Sequence, residues 1–181
     1  FGQRGLDGKI LAVEYARVNK IPFLGICLGM QMAVIEYARN VKKIRYANST
    51  EISEKCKDPV IDLMTSQKEI INMGGTMRLG AWDCELSKNT IAHKVYKKKL
   101  ISERHRHRYE FNNKYSKKIF DDNFIIAGLN PDTKLVEIIE NRDHPWFVGV
   151  QFHPEYKSSV YNPHPIFVNF VKACLKKYLN K

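Results

Sequence analysis

The chain has 181 residues, 44% of them hydrophobic, and a formal net charge of +11 at pH 7. This length and apolar content are typical of one globular domain with a sizeable core. The sequence has no apolar stretch near the ~20 residues that span a bilayer and no visible secretory signal peptide, so we expect a cytoplasmic protein without a membrane partner.

The positive charge is best explained by a solvated basic surface. Lysine far outnumbers arginine, and the lysines are scattered or stand in short clusters such as those at 97–99 and 176–177. A nucleic-acid interface, the other interpretation of such a charge, is therefore not expected. Anionic nucleotide ligands are compatible with the positive field.

The four cysteines are spaced too widely for a zinc site or a dense disulfide framework, because no CxxC pair occurs. We expect reduced thiols, as in a cytosolic protein. Cys27 is a candidate nucleophile. The other three are interpreted as packing residues: Cys56, Cys84 and Cys174.

The first 41 residues predict a helix, a strand and a second helix in succession. Residues 7–19 carry apolar side chains at helical spacing, and residues 21–26 form a short apolar run. Residues 31–41 again have the spacing of an amphipathic helix. A strand followed by a helix is one βα unit, which predicts an α/β fold.

The second half of the chain predicts mainly strands, separated by turn signals such as Asn130-Pro131-Asp132. The run at 146–152 is almost wholly apolar, which is typical of a central strand covered on both faces. A lysine-rich helix is expected at 166–178. The other predicted strands are 60–64, 81–86, 124–128 and 135–140, and a flexible surface segment is predicted at 65–72.

Cys27 stands between the predicted strand and helix in the sequence Gly25-Ile26-Cys27-Leu28-Gly29. This pattern is typical of a nucleophile elbow, in which flanking glycines leave room for a strained turn. The helix N-terminus favours a thiolate, and the Leu28 N–H is a natural oxyanion-hole donor. A buried structural cysteine after an apolar strand remains the alternative interpretation of this segment alone.

His153 and Glu155 follow the apolar run at 146–152 and flank Pro154. Residues two apart in an extended chain project to the same side, so the carboxylate can orient the imidazole. The imidazole would then take the thiol proton of Cys27, as in a Cys-His-Glu triad. A metal pair or a surface turn is the alternative, although no further ligands stand at a convincing spacing for a metal.

The elbow and the His-Pro-Glu segment together resemble the class I (triad) glutamine amidotransferases. Further blocks resemble, more specifically, the glutaminase domains of the CTP synthase family, in one register from Phe1 almost to the C-terminus. These blocks are residues 25–31, 47–51, 74–80, 103–110 and 144–147. Gly-Gly-Thr-Met-Arg-Leu-Gly at 74–80 and Glu-Arg-His-Arg-His-Arg-Tyr-Glu at 103–110 distinguish this family from the GMP-synthesising and anthranilate-synthesising relatives.

The resemblance implies the class I glutaminase fold, a flavodoxin-like arrangement of three layers around a mixed, mostly parallel central sheet. It implies hydrolysis of L-glutamine to glutamate and ammonia by the triad. Arg108 would bind the substrate carboxylate, for which a guanidinium fork is well matched, and Glu51 would face the ammonium. Gln31 lies one helical turn after the nucleophile, on the same helix face. The implied glutamine-binding residues on that turn are Leu28, Gly29, Met30 and Gln31.

The resemblance also implies partners outside this chain. In the CTP synthase family, an amidoligase domain of the same polypeptide uses ATP and Mg²⁺ to convert UTP to CTP with the ammonia. GTP activates the glutaminase, and the full-length enzyme is a homotetramer. No cofactor or metal is expected in residues 1–181 themselves. The chain starts at Phe1 without methionine, so we expect this domain truncated at its N-terminus, with family glycines that complete the oxyanion hole and the first strands lying upstream.

Several interpretations stay open. The arginines and histidines at 104–107 contact a partner domain or nucleotide, or they form an alternating strand face. The block at 74–80 lacks the ending of a phosphate-binding loop, and a turn entering a strand is its expected role. For the whole chain, the alternatives are another class I glutaminase, a cysteine hydrolase with no use for Glu51 and Arg108, and a catalytically idle domain that binds nucleotide or another partner.

Overall fold

The computed structural model describes residues 4–63 and 77–179. The predicted surface segment 65–72 therefore lies outside the described residues, as do residues 74–76 of the 74–80 block. The described helices are α1 Leu6–Val18, α2 Leu28–Asn40, α3 Ile91–Tyr96, α4 Ser116–Ile119 and α5 Pro165–Leu179. The described strands are β1 Phe23–Ile26, β2 Ala47–Ser49, β3 Asp58–Leu63, β4 Arg78–Leu86, β5 Leu100–His107, β6 Tyr109–Phe111, β7 Phe124–Leu129, β8 Val136–Asn141 and β9 Phe147–Val150.

Six of the described strands form one mixed sheet in the order β1-β9-β8-β7-β4-β5, and a smaller sheet has the order β2-β3-β6. The predicted α/β fold with a mixed sheet is confirmed. The expected predominance of parallel strands is wrong for the described strands, because only β1–β9 and β2–β3 are parallel pairs. Strands β7, β8 and β9 follow one another through short connections, whereas parallel neighbours need a long crossover.

The larger sheet lies between two layers of helices. On one side, Ile139 and Phe147 pack with α1 and α2, and on the other, Ile138 and Val148 pack with α3 and α5. Successive residues of a strand project to opposite faces, so β8 and β9 contribute to both cores. All four residues of β9 are buried, which confirms the predicted central strand. None of the described helices is long and apolar enough to cross a membrane.

The block at 103–110 contains a strand whose two faces differ. Along β5 the side chains of Arg104 and Arg106 are exposed, whereas those of His105 and His107 are buried. Of the interpretations left open for these residues, the alternating strand is observed, and only its arginines face outward. Strand β4 begins at Arg78, so the described end of the 74–80 block enters a strand as predicted.

The cysteines outside the elbow differ in their surroundings. Cys84 is fully buried in the core on the α5 side, in agreement with its predicted packing role. Cys56 and Cys174 are half-buried. All four cysteines lie in the described part of the chain and are free.

Candidate active site

The turn at Cys27 joins β1 to α2 through a single residue. β1 ends at Ile26, α2 begins at Leu28, and Cys27 between them has φ 50° and ψ −104°. Its N–H donates to the carbonyl of Val150 at 2.7 Å, so strand β9 holds the turn in place. A positive φ costs a residue with a side chain on the order of 1 kcal/mol, and such strain is typical of functional turns. The predicted elbow is therefore present.

Only one of the two glycines beside the elbow is required by sterics. A Cβ at Gly25 would lie 2.7 Å from the carbonyl carbon of Gly29 and 2.9 Å from the nitrogen of Met30. These backbone atoms belong to the first turn of α2, which packs directly on the strand. A Cβ at Gly29 would meet nothing within 4 Å. The expectation that both glycines make room for the turn is thus wrong for Gly29.

The surroundings of the Cys27 thiol favour its protonated form. Burial, and to a smaller extent the carboxylates of Glu51, Glu110 and Glu155, raise its pKa to about 12, although a hydrogen bond from the Leu28 N–H lowers it. These surroundings oppose the thiolate that the helix N-terminus is expected to favour. Nucleophilic attack by this sulfur requires a base that removes its proton.

His153 lies at the same edge of the sheet as the thiol, because Ile26 and Val150 are paired in the parallel strands β1 and β9 and both strands end there. Its Nδ1 is 2.6 Å from Oε1 of Glu155. Among the described residues, its buried Nε2 has no hydrogen-bond partner. Glu155 sits in a short 3₁₀ turn, Pro154–Lys157, rather than in the extended chain that was predicted.

The alternative interpretation of this pair as metal ligands gains no support. Within the described ranges, no group of three or more His, Cys, Asp or Glu side chains is arranged to hold a metal ion. The imidazole instead has one nitrogen on a carboxylate and the other unengaged. That arrangement suits a base whose tautomer is fixed by its carboxylate partner.

Gln151 is a contact of the sulfur that the sequence did not single out. Its Nε2 lies 3.7 Å from Sγ of Cys27, and its Oε1 accepts a hydrogen bond from Nε2 of Gln31 at 3.2 Å. The same nitrogen of Gln31 also donates to the carbonyl of Tyr109 at 2.9 Å. The amide nitrogen of Gln31, expected to contact substrate, is therefore engaged within the protein.

A cavity of about 310 Å³ opens beside the thiol. Among the described residues, it brings together five of those predicted for the site and adds four more, three of them in β5 and β6 and one, Met77, just before β4. Met30 does not reach the cavity because its side chain is fully buried in the core, and Gly29 is not part of the wall. The wall consists of Cys27, Leu28, Gln31, Glu51, Met77, Arg106, His107, Arg108 and Tyr109.

The cavity carries groups of opposite charge. Glu51 is exposed overall, but partial burial raises the pKa of its carboxyl, while the positive charge of Arg108 lowers it. The field of Arg108 thus reaches Glu51 within the cavity. A zwitterion with its carboxylate near Arg108 and its ammonium near Glu51 would satisfy both charges.

Comparisons with known proteins show similarity along almost the whole chain. The family model described as Glutamine amidotransferase class-I matches residues 1–173, a range that includes Cys27, His153 and Glu155. The CTP synthase of Christiangramia forsetii is 65% identical over 173 residues, covering 96% of this chain and 32% of the relative. The CTP synthase of Flavobacterium johnsoniae is 60% identical over 178 residues, covering 98% of this chain and 33% of the relative. The chain spans about a third of the length of these curated relatives.

Among solved structures, the chain is similar to the Trypanosoma brucei CTPS glutaminase domain with bound acivicin. The TM-score is 0.91 at 40% sequence identity, and the match covers 97% of this chain and 68% of that one. The likeness therefore includes both the elbow and the segment after β9.

Proposed function

The chain belongs to the class I glutamine amidotransferases, and on that premise we propose that it hydrolyses L-glutamine to glutamate and ammonia with Cys27 as the nucleophile. The observation that carries this proposal is the cavity, whose wall combines Cys27 with the carboxylate of Glu51 and the guanidinium of Arg108. Glutamine presents an amide, an ammonium and a carboxylate. Each of these groups has a chemical complement in the cavity wall.

In the proposed reaction, the sulfur of Cys27 attacks the side-chain amide carbon while Nε2 of His153 accepts the thiol proton. The imidazolium then gives this proton to the departing ammonia, which leaves a thioester. Water hydrolyses the thioester with His153 again acting as base. In both steps the Leu28 N–H donates to the developing oxyanion, and Glu155 keeps the imidazole in the required tautomer.

A glutamine-mimetic electrophile tests this assignment without relying on turnover. Because the Trypanosoma brucei CTPS glutaminase domain has a structure with bound acivicin, we expect acivicin to label this chain at Cys27. Mass spectrometry of the digested protein would locate the label, and L-glutamine should protect against it. The free cysteines Cys56 and Cys174 serve as internal controls. Labelling of those residues, or labelling of Cys27 that glutamine does not slow, would contradict the glutaminase proposal.

Arg108→Ala is expected to raise KM for glutamine about 10²-fold with a smaller effect on kcat, because a charge-assisted bidentate contact contributes about 1.5–3 kcal/mol. The carboxylate is remote from the reacting amide, so its loss weakens substrate binding more than the chemical step. Steady-state glutamate release would give both constants. Arg45→Ala, at an exposed position outside the cavity, is the matched control. Equal KM values in the two variants would mean that the substrate carboxylate binds elsewhere.

The ammonia requires an acceptor, and the length of the relatives indicates where it lies. We propose that in a longer polypeptide it passes to an amidoligase domain that uses ATP and Mg²⁺ to aminate UTP to CTP, with GTP as activator and a homotetramer as the assembly. The free cysteines are compatible with the cytosol as the compartment. Glutamate release by that longer polypeptide should rise when GTP is added, and an unchanged rate would argue against this coupling.

A further inference from the structure

A ring of five titratable side chains lies buried beside the cavity. Arg78 Nη2 is 2.6 Å from Glu137 Oε1, and Arg78 Nη1 is 3.4 Å from Glu110 Oε1. On the opposite side of the ring, His105 Nδ1 and His107 Nε2 are 2.8 Å apart. The outer nitrogens close the ring, with His105 Nε2 at 3.5 Å from Glu137 Oε2 and His107 Nδ1 at 3.4 Å from Glu110 Oε1. All five residues are at most 6% exposed, and we call them the buried ring.

Four strands supply the buried ring. Arg78 opens β4, the two histidines come from the inward face of β5, Glu110 lies in β6 and Glu137 in β8. Arg78 is paired with His107 across the β4–β5 ladder. The ring therefore ties the larger sheet to the smaller one at the point where the cavity opens.

The number of protons in the ring follows from its charges. The two imidazoles share one hydrogen bond at 2.8 Å, whereas His105 Nε2, His107 Nδ1 and Glu137 Oε2 have no hydrogen-bond partner among the described residues. One guanidinium lies 2.6 Å and 3.4 Å from two buried carboxylates, which alone would leave the buried ring negative. One additional proton balances this charge.

We propose that the buried ring holds one proton in addition to those of its two neutral imidazoles, shared between Glu110 and Glu137, and that its release places a negative charge beside Cys27. This inference rests on the proposed function only in taking Cys27 as the reactive thiol. The ring thereby places charge beside the reactive thiol.

The electrostatic surroundings support this location of the proton. Burial raises the pKa of Glu110 to about 8 and that of Glu137 to about 7. Burial lowers the pKa values of His105 and His107, and the charge of Arg78 lowers them further. The extra proton is therefore held by a carboxyl group. The titratable or permanently charged groups that face the ring and the thiol from the surrounding elements are Arg78, His153, Glu51 and Glu155.

The ring and the thiol are in direct electrostatic contact. His107 forms part of the cavity wall together with Cys27, and the charge of Glu110 raises the pKa of the Cys27 thiol. Loss of the ring proton therefore holds the thiol in its protonated form more strongly. In the proton-bearing state, the thiol gives up its own proton more easily to the base.

Glutamine substitutions test the ring because an amide mimics a protonated carboxyl group but does not titrate. Infrared spectra of the whole chain should be recorded from about pH 6 to about pH 9, a range that brackets the raised carboxyl pKa values. They should show the loss of one protonated carboxyl signal as the pH rises. Glu110→Gln and Glu137→Gln should each abolish that loss. Glu103→Gln is the matched control, since Glu103 is buried and lies 3.0 Å from His164 but outside the ring. A wild-type spectrum without the loss, or its abolition in the control, overturns the proposal.

The rate of Cys27 alkylation by iodoacetamide gives a second measure that does not depend on glutamine turnover. The ratio of the Glu110→Gln rate to the wild-type rate should be near one at the low end of this pH range and roughly tenfold at the high end. A tenfold ratio corresponds to a thiol pKa about one unit lower in the variant than in the wild type. A merely loosened structure would give a ratio that does not change with pH, which contradicts the proposal. If Glu110→Gln does not fold, Glu137→Gln gives the same test. Neither measurement uses substrate. A failure of the glutaminase proposal would therefore be seen separately, as a lack of acivicin labelling at Cys27.

Discussion

Cys27→Ala is expected to reduce glutamine hydrolysis to background, a loss of about 10⁴-fold or more. Among the described residues of the cavity wall, Cys27 is the side chain at the elbow and the one thiol. Glutamine binding should survive, because Arg108 and Glu51 remain. Single-turnover glutamate release measures the first effect, and calorimetric titration with glutamine measures the second. The assay is best run both on the chain as given and on a longer polypeptide with GTP.

The control for this variant is Cys174→Ser, which changes a half-buried thiol on α5 far along the chain from the elbow. Its rate should equal that of the wild type. Cys27→Ser keeps the geometry but replaces the thiol by a hydroxyl that is harder to deprotonate, so its rate should also be strongly reduced. Turnover by Cys27→Ala at more than a trace of the wild-type rate would exclude Cys27 as the nucleophile.

The parts of the fold that could be predicted are those whose signal is local. The apolar run of β9 and the helical spacing of α2 can each be recognised within a short stretch of consecutive residues. Helix α3 was not predicted because its six residues are too few to show a period. Its first N–H groups, on Ile91 and Ala92, donate at 2.7 Å to the carboxylate of Glu140, a contact that sequence distance conceals.

The residues of the site can likewise be separated into those with a local sequence signal and those without one. The elbow and the His153–Glu155 pair are each contiguous in the sequence, so their residue types alone indicate chemistry. A single glutamate such as Glu51 has the appearance of an ordinary solvated carboxylate, and only the family resemblance identified it. Gln151 reaches the sulfur because two strands far apart in the chain are paired in parallel. The one local signal for the buried ring was the alternation of histidine and arginine along β5. Only the structure shows that the histidines, and not the arginines, are the buried side chains.

Gly25→Ala is expected to destabilise the fold by about 3 kcal/mol, at the upper end of the usual overpacking cost, and to lower Tm by about 6–12 °C. Backbone atoms of Gly29 and Met30 would lie within 2.9 Å of the new Cβ, and backbone at the start of a packed helix cannot rotate away as a side chain can. Helix α2 must therefore move from β1. That movement would also displace the Leu28 N–H from the sulfur, so glutaminase activity should fall along with stability.

Gly29→Ala makes the comparison decisive, because it adds the same methyl group four residues later. No atom lies within 4 Å of a Cβ there, and the φ angle of Gly29 is not in the left-handed region. Alanine is favoured over glycine inside a helix by about 1 kcal/mol, so this variant should be as stable as the wild type or slightly more stable. Thermal and urea unfolding of the three proteins measure the difference. If Gly25→Ala unfolds at the same temperature as Gly29→Ala, close packing of α2 on β1 is not the reason that position 25 requires glycine.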